Sequence, residues 1–132
     1  MKIFKAGDNN TSPAAETGSI GARMEEVAAS YLAAAGITVV EQNYRTRCGE
    51  IDLVARDGDS LVFVEVRYRR SAAFGGAAAS VDRRKQRKLL AAAESYLQQR
   101  RLDCPCRFDV VAIEGSGDDR QIQWIQSAFN AL

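Results

Sequence analysis

Histidine is absent from all 132 residues. That omission removes Ser-His-Asp triads, Cys-His pairs, imidazole general bases and histidine-containing zinc sites together. Cysteine is scarce and odd in number: Cys48, Cys104 and Cys106 have no C-x-x-C spacing, so neither a disulfide framework nor a zinc knuckle is implied. An excess of either charge is missing too. Lys and Arg number 18 against 17 Asp and Glu, a net charge of +1, so only local clustering could mark a nucleic-acid surface. No apolar run is long enough to span a bilayer, and the opening MKIFKAGDNNTSPAAETG lacks the apolar centre of a signal peptide. The expectation is a cytoplasmic protein without a membrane partner, whose chemistry must use carboxylates, amines, hydroxyls or a hard metal ion.

A composition of 46% hydrophobic and 27% charged residues in 14.4 kDa suits one domain with a real core. Residues 1–17 are small, polar and rich in turn formers and read as a mobile arm, leaving 18–132 as the domain. From Ser19 to Ala35, Ile20, Met24, Val27, Ala28, Tyr31, Leu32 and Ala35 recur at helical spacing, with Gly36 as the stop signal. Ile37–Gln42 reads as a strand. Gly49–Ala55 and Ser60–Arg67 read as a hairpin turning at Asp57-Gly58, and Cys106–Glu114 as a further strand. Ser80–Arg101 carries Leu89, Ala93, Tyr96 and Leu97 at helical spacing, with Ser80 or Asp82 as N-cap. Gln121–Ile125 closes the pattern as a short edge strand. This order predicts an α/β fold, a mixed central sheet flanked by helices.

The hairpin raises a chemical question, because acids interrupt two segments that otherwise read as core strand. A two-residue turn makes opposed positions sum to an odd number, which places Asp52 and Glu65 on one face with Glu50 and Arg67. Ile51, Leu53, Ala55, Val62, Val64 and Val66 then fill the other face. Cross-strand neighbours of this kind have Cβ atoms roughly 5–8 Å apart, close enough for two carboxylates to share a divalent cation. Without one they repel, and a pKa rises. All-oxygen ligands favour Mg²⁺, with Mn²⁺ as a substitute. On spacing alone the plainer reading is a solvated face, with Asp52 paired to Arg67 and Glu65 to Arg45 or Arg69.

A second cluster, SVDRRKQRKLL, crowds Arg83, Arg84, Lys85, Arg87 and Lys88 into the first turns of a helix, where cations oppose the macrodipole. With Arg69 and Arg70 of VRYRRS they could line a groove that grips a phosphate backbone without reading sequence; a solvated helix face is the alternative. Phe74–Gly76 reads as a connecting loop.

The combination of an acid-bearing helix, an acid followed by E-x-[KR] on a hairpin and then a basic helix resembles the PD-(D/E)XK nuclease superfamily. "GARMEEVAASYLAAAGITVVEQNYR", "GEIDLVARDG", "LVFVEVRYRRS", "FGGAAASVDRRKQRKLL" and "CRFDVVAIEG" resemble more narrowly the YraN family of small bacterial proteins, over nearly all of residues 18–129. The resemblance implies a restriction-endonuclease-like fold. It also implies metal-dependent phosphodiester hydrolysis in nucleic acid, with DNA favoured and RNA left open, Asp52, Glu65 and Glu25 as metal ligands and Gln86 as a polar neighbour. Arg67 stands where the superfamily's enzymes favour lysine, and an arginine stays protonated, so it stabilises phosphate charge and does not act as a base. That departure keeps two other readings open, a binding module without turnover and a protein-interaction domain. A branched substrate would suit a two-fold homodimer.

Overall fold

The computed structural model describes residues 13–70 and 81–129, with the backbone alone for 13–19. Its elements are α1 (Pro13–Ala34), β1 (Thr38–Arg45), β2 (Glu50–Asp57), β3 (Ser60–Arg69), α2 (Arg83–Arg100), β4 (Cys106–Glu114) and β5 (Gln121–Phe129). The five strands form one sheet in the order β1-β2-β3-β4-β5, parallel only between β3 and β4 and antiparallel elsewhere. The α/β class and the mixed sheet flanked by helices are as the sequence implied. Helix α2 is the crossover that the parallel β3–β4 pair requires. Helix α1 begins at Pro13, well ahead of Ser19, and proline suits a first helical turn because its missing N–H is an orphan there anyway. Residues 1–12, the Phe74–Gly76 loop and the candidate cap Ser80 lie outside the described residues.

Each helix covers one face of the sheet. Met24, Ala28 and Leu32 of α1 pack on Leu53, Ala55, Val62, Val64, Val111 and Ile113. Leu89, Ala92, Ala93 and Tyr96 of α2 pack on Val54, Leu61, Phe63 and Phe108 on the opposite side. Period-2 alternation along β2 and β3 supplies both faces from the same strands, which is why they read as near-continuous apolar runs. Ile20 and Tyr31, expected in the α1 stripe, are 46% and 37% exposed.

Ile51 is the exception to the alternation. Predicted to lie with Leu53, it packs instead with Tyr44 on the α2 face. The register pairs Gln42 with Leu53 and Tyr44 with Ile51, leaving Asn43 across from Asp52, and Asn43 has a left-handed φ of 56°. A non-glycine residue there bends β1 locally and carries Tyr44 to the other face. On that face Tyr44 and Tyr96 meet edge-on at 5.1 Å and Phe63 and Tyr96 edge-on at 5.9 Å, while the Phe63 and Phe108 rings lie tilted at 5.5 Å.

Two turns hold β2 in place. The β2–β3 hairpin closes from Asp57 to Ser60, and Gly58, with φ 61°, is the member of the Gly58-Asp59 pair that is left-handed, the pattern of a type II′ turn. At the other end of β2, Thr46 Oγ1 accepts the N–H groups of Cys48 and Gly49 at 3.1 Å each, tightening the turn from β1. Gly49 sits so close to α2 that a Cβ would stand 2.8 Å from the Lys88 carbonyl oxygen. The helix supplies its own cap: Asp82 Oδ1 accepts the Lys85 N–H at 2.9 Å.

These two glycines predict opposite tolerances. Gly49→Ala should cost about 1–3 kcal/mol through steric conflict with α2, and Gly49→Asn should be no better. Gly58→Ala should cost about 1–2 kcal/mol through its left-handed backbone, and Gly58→Asn should recover most of it. Urea unfolding of the four variants checks this; a Gly49→Ala protein as stable as wild type contradicts the close approach.

Candidate active site

Strands β2 and β3 pair from Asp57↔Ser60 to Leu53↔Val64 and no further. Yet β2 goes on pairing with β1 to Glu50, and β3 with β4 to Arg69. The sheet therefore opens between β2 and the central strand β3, and Asp52 stands at the opening. Its Oδ2 accepts the Val66 backbone N–H at 2.8 Å, replacing a ladder acceptor with a charged one. Glu65, level with Asp52 on the facing strand, is 3% exposed, and Asp52 is 9% exposed. The solvated face allowed by spacing is thus overturned: below these acids the same face continues into Val54, Leu61 and Phe63 under α2.

Both helices reach this opening. From α1, Glu25 comes within hydrogen-bonding reach of Asp52 and Asn43. From α2, Lys85 Nζ stands 3.6 Å from Glu65 Oε2, and Arg67 Nε approaches that same oxygen at 3.2 Å. Glu65 Oε1 is buried and meets no hydrogen-bond donor among the described residues. The Asp52 carboxyl lies within hydrogen-bonding reach of Glu65. Two carboxylates in that position attract only if a proton or a cation lies between them.

The acidities follow. Burial first, then the Asp52 charge, push Glu65 up to about 7, against the pull of Lys85 and Arg67. Burial and the Asp52 charge likewise push Glu25 up to about 7, against a hydrogen bond from Asn43. Asp52 is raised as well, chiefly by burial, with the Val66 N–H and Lys85 opposing.

The ion pairs differ from those the strand spacing suggested. Arg67 pairs with Glu65 and not with Asp52, while Arg45 pairs with Glu50 at 3.0 Å and not with Glu65. Lys85, read from sequence as one of a surface run, is the member that turns inward, one helical turn before the buried Leu89. Gln86 Nε2 donates to the Val81 carbonyl at 3.2 Å, which ties that amide to its own segment. Arg69, Arg70, Arg83, Arg84, Arg87 and Lys88 are exposed. Of these, Arg84, Arg87 and Lys88 share one side of α2 by their spacing of three and four.

The described residues contain no ready-made cage of three or more acidic, cysteine or histidine ligands. What they offer a divalent ion is a pair, Asp52 and Glu65, with Glu25 beside Asp52. Mg²⁺ commonly takes one or two carboxylates and completes its shell with water and phosphate, so the donor set fits that ion. Sequence reasoning missed Asn43, whose signal is a lone turn-type residue inside a strand, and it missed the buried Asp109. The latter accepts from Arg107 Nε at 3.0 Å, Trp124 Nε1 at 2.9 Å and Ser127 N at 2.9 Å, and so has its valences filled beside the β4–β5 bulge. A separate groove of about 540 Å³ between α1 and β1 is lined by Ile37, Val39, Gln42 and Glu26 among others, and brings no second ionisable group to Glu26. Among the described residues no helix is long and apolar enough to cross a membrane.

Comparison with known proteins gives the family. Residues 24–113 match the model described as uncharacterised protein family UPF0102, a span that includes Glu25, Asp52, Glu65, Arg67 and Lys85. The chain is 49% identical over 118 residues to a UPF0102 protein of Stutzerimonas stutzeri, covering 88% of this chain and 98% of the relative. It is 50% identical over 118 residues to one of Pseudomonas syringae pv. tomato, covering 84% and 92%. A Nitrosomonas europaea relative is 48% identical over 113 residues, covering 86% and 95%. With the family model spanning most of the domain and such relatives matched almost end to end, the chain belongs to the UPF0102 family, also known as YraN.

Proposed function

We propose that this protein is a metal-dependent nuclease that hydrolyses phosphodiester bonds in nucleic acid, with DNA as the favoured substrate. The observation that carries the reading is the opening between β2 and β3, where buried Asp52 and Glu65 face each other with one carboxylate oxygen unmatched among the described residues. Asp52 and Glu65 would hold Mg²⁺ or Mn²⁺, with Glu25 completing the acidic side. When bound, such an ion supplies Lewis acidity toward the phosphate and acidifies water. The chain's residues do the rest. The Val66 N–H fixes the orientation of Asp52, and Arg67, permanently charged, offers donors to phosphate oxygens. The exposed Arg84, Arg87 and Lys88, with Arg69, Arg70 and Arg83, supply a nonspecific grip on the backbone.

A second reading, a nucleic-acid-binding module without turnover, is favoured by Arg67 at the lysine position. Incubating the protein with duplex, single-stranded and four-way-junction DNA, and with RNA, in Mg²⁺ or Mn²⁺ separates the two. The nuclease reading expects metal-dependent cutting that falls by about 100-fold or more in Asp52→Asn, since loss even of outer-shell support costs a metal site 10–100-fold. That variant keeps an oxygen for the Val66 N–H and should stay folded. Salt-sensitive binding with no cutting supports the module. Cutting that persists in Asp52→Asn removes the assignment.

The crowding of acids also predicts a pH dependence. The folded state holds the Glu65 proton between its ordinary value of 4.5 and about 7, so this contribution to stability is present below 4.5 and is lost as pH rises through 7. In ion-free buffer Glu65→Gln, which cannot ionise, should match wild type near pH 4.5. It should exceed wild type by on the order of 2 kcal/mol at about pH 8. Saturating Mg²⁺ should narrow that gap by stabilising the wild type. Urea unfolding across pH checks it; a Glu65→Gln protein less stable than wild type at about pH 8 would show that the pairs with Arg67 and Lys85 outweigh burial.

A further inference from the structure

Lys85 is poorly placed for a surface phosphate contact and poorly placed for its helix. It occupies the third position after the Asp82 cap, where glutamate normally completes a capping box and where the macrodipole disfavours a cation. No acidic residue stands in that first turn to offset it. Its neighbours Arg83, Arg84, Arg87 and Lys88 point to solvent, while its own side chain is 30% exposed and its ammonium rests 3.6 Å from Glu65 Oε2. It also acts electrostatically on Asp52. The ammonium therefore contacts one of the two carboxylates that would hold a divalent ion and acts on the other through its charge.

That contact is loose. At 3.6 Å it is longer than an ordinary charge-assisted hydrogen bond, and the Glu65 oxygen it faces is already approached by Arg67 at 3.2 Å. Two cations on one oxygen repel each other, and the one on a flexible four-carbon stem is the easier to move. The charge count points the same way. With a divalent ion bound and its acidic neighbours ionised, Glu25, Asp52, Glu65, Arg67, Lys85 and the ion together carry one positive charge, which a single phosphodiester cancels.

Resting on the nuclease reading above, we propose that Lys85 is the site's resident cation: its ammonium stands in for the divalent ion at Asp52 and Glu65, and ion binding releases it to grip the substrate phosphodiester. Metal entry and phosphate binding are then coupled through one side chain, and each must strengthen the other equally. The role belongs to a helix residue and not to Arg67, whose contact is shorter and whose Glu65-x-Arg67 spacing on one strand keeps it beside the acid.

The test is calorimetric titration of Mn²⁺ into the full chain as wild type, Lys85→Gln and Lys85→Arg, with anisotropy measurement of a short fluorescent DNA duplex, with and without Ca²⁺. Lys85→Gln is expected to bind Mn²⁺ about fivefold tighter, the weight of one unit charge about 4 Å away in water-like surroundings. It should also lose most of the Ca²⁺-dependent gain in duplex affinity that wild type shows. Lys85→Arg, which keeps the charge, should stay within about twofold of wild type for Mn²⁺ on the same electrostatic ground. Unchanged or weakened Mn²⁺ binding in Lys85→Gln, or a Ca²⁺ gain equal to wild type's, overturns the proposal while leaving the metal site standing. Tightened binding in Lys85→Arg overturns it as well, since charge would not be the cause. Absence of Mn²⁺ binding in all three removes the metal site and this role with it.

Discussion

The hydrogen bond from Val66 N–H to Asp52 is the contact on which the rest of the site depends. A sheet interior normally satisfies each backbone N–H with a carbonyl of the next strand. Here a side chain takes that place, so β2 and β3 can separate beyond Leu53 and Val64 without leaving the Val66 donor unmatched. A bond to a charged acceptor contributes about 1.5–3 kcal/mol, roughly twice an ordinary ladder bond. Separation in turn makes room for Glu65 to stand beside Asp52, and it lets Glu25 from one helix layer and Lys85 from the other approach the same level. The site is built through the sheet, not on top of it.

The same chain shows how a buried acid looks when its role is structural. Asp109 is as buried as Glu65, yet it accepts from a guanidinium, an indole and a backbone N–H. Those donors fix Trp124 and the left-handed Ser127 where β5 bulges against β4. Glu65 lacks such a set. One of its oxygens carries two cations at moderate distance, the other meets no donor among the described residues, and its neighbour is another acid. Burial without satisfaction is costly, and a protein that matches Asp109 completely has the means to match Glu65. Among the described residues Glu65 Oε1 stays unmatched, and this contrast with Asp109 is what supports the proposed cation site.

Much of this was legible in the sequence because it follows from periods. The two-residue turn places Asp52 and Glu65 on one face by counting alone, and the helical spacing of Leu89, Ala93 and Tyr96 names the buried stripe of α2. Where the reading failed, a single residue broke a period. Asn43 adopts a left-handed conformation inside β1, and Tyr44 and Ile51 exchange faces as a result. The pairing of Arg67 with Asp52 failed because Asp52 was already engaged by Val66, a bond that appears only once the strands part. Lys85 was lost among five cations in six residues, since a one-dimensional run does not say which member turns inward. Asp109 gave no signal because its partners are distant in sequence or, like Arg107, look like ordinary strand alternation.

The division of labour between strand and helix then makes physical sense. At this level β2 is still paired to β1 and β3 to β4, with a helix over each face, which fixes the acids with little freedom, and the Glu65 side chain is only 4% exposed. Fixed like charges are what a buried cation site needs, because the repulsion is set when the chain folds and need not be rebuilt when an ion arrives. The positive charges are held less tightly. Arg67 is 27% exposed and Lys85 30%, and Lys85 hangs from the first turn of a helix whose remaining cations face solvent. Where the sheet opens, the strands thus fix two acids and Arg67 side by side, and the helix brings up one further cation on a longer and more flexible stem.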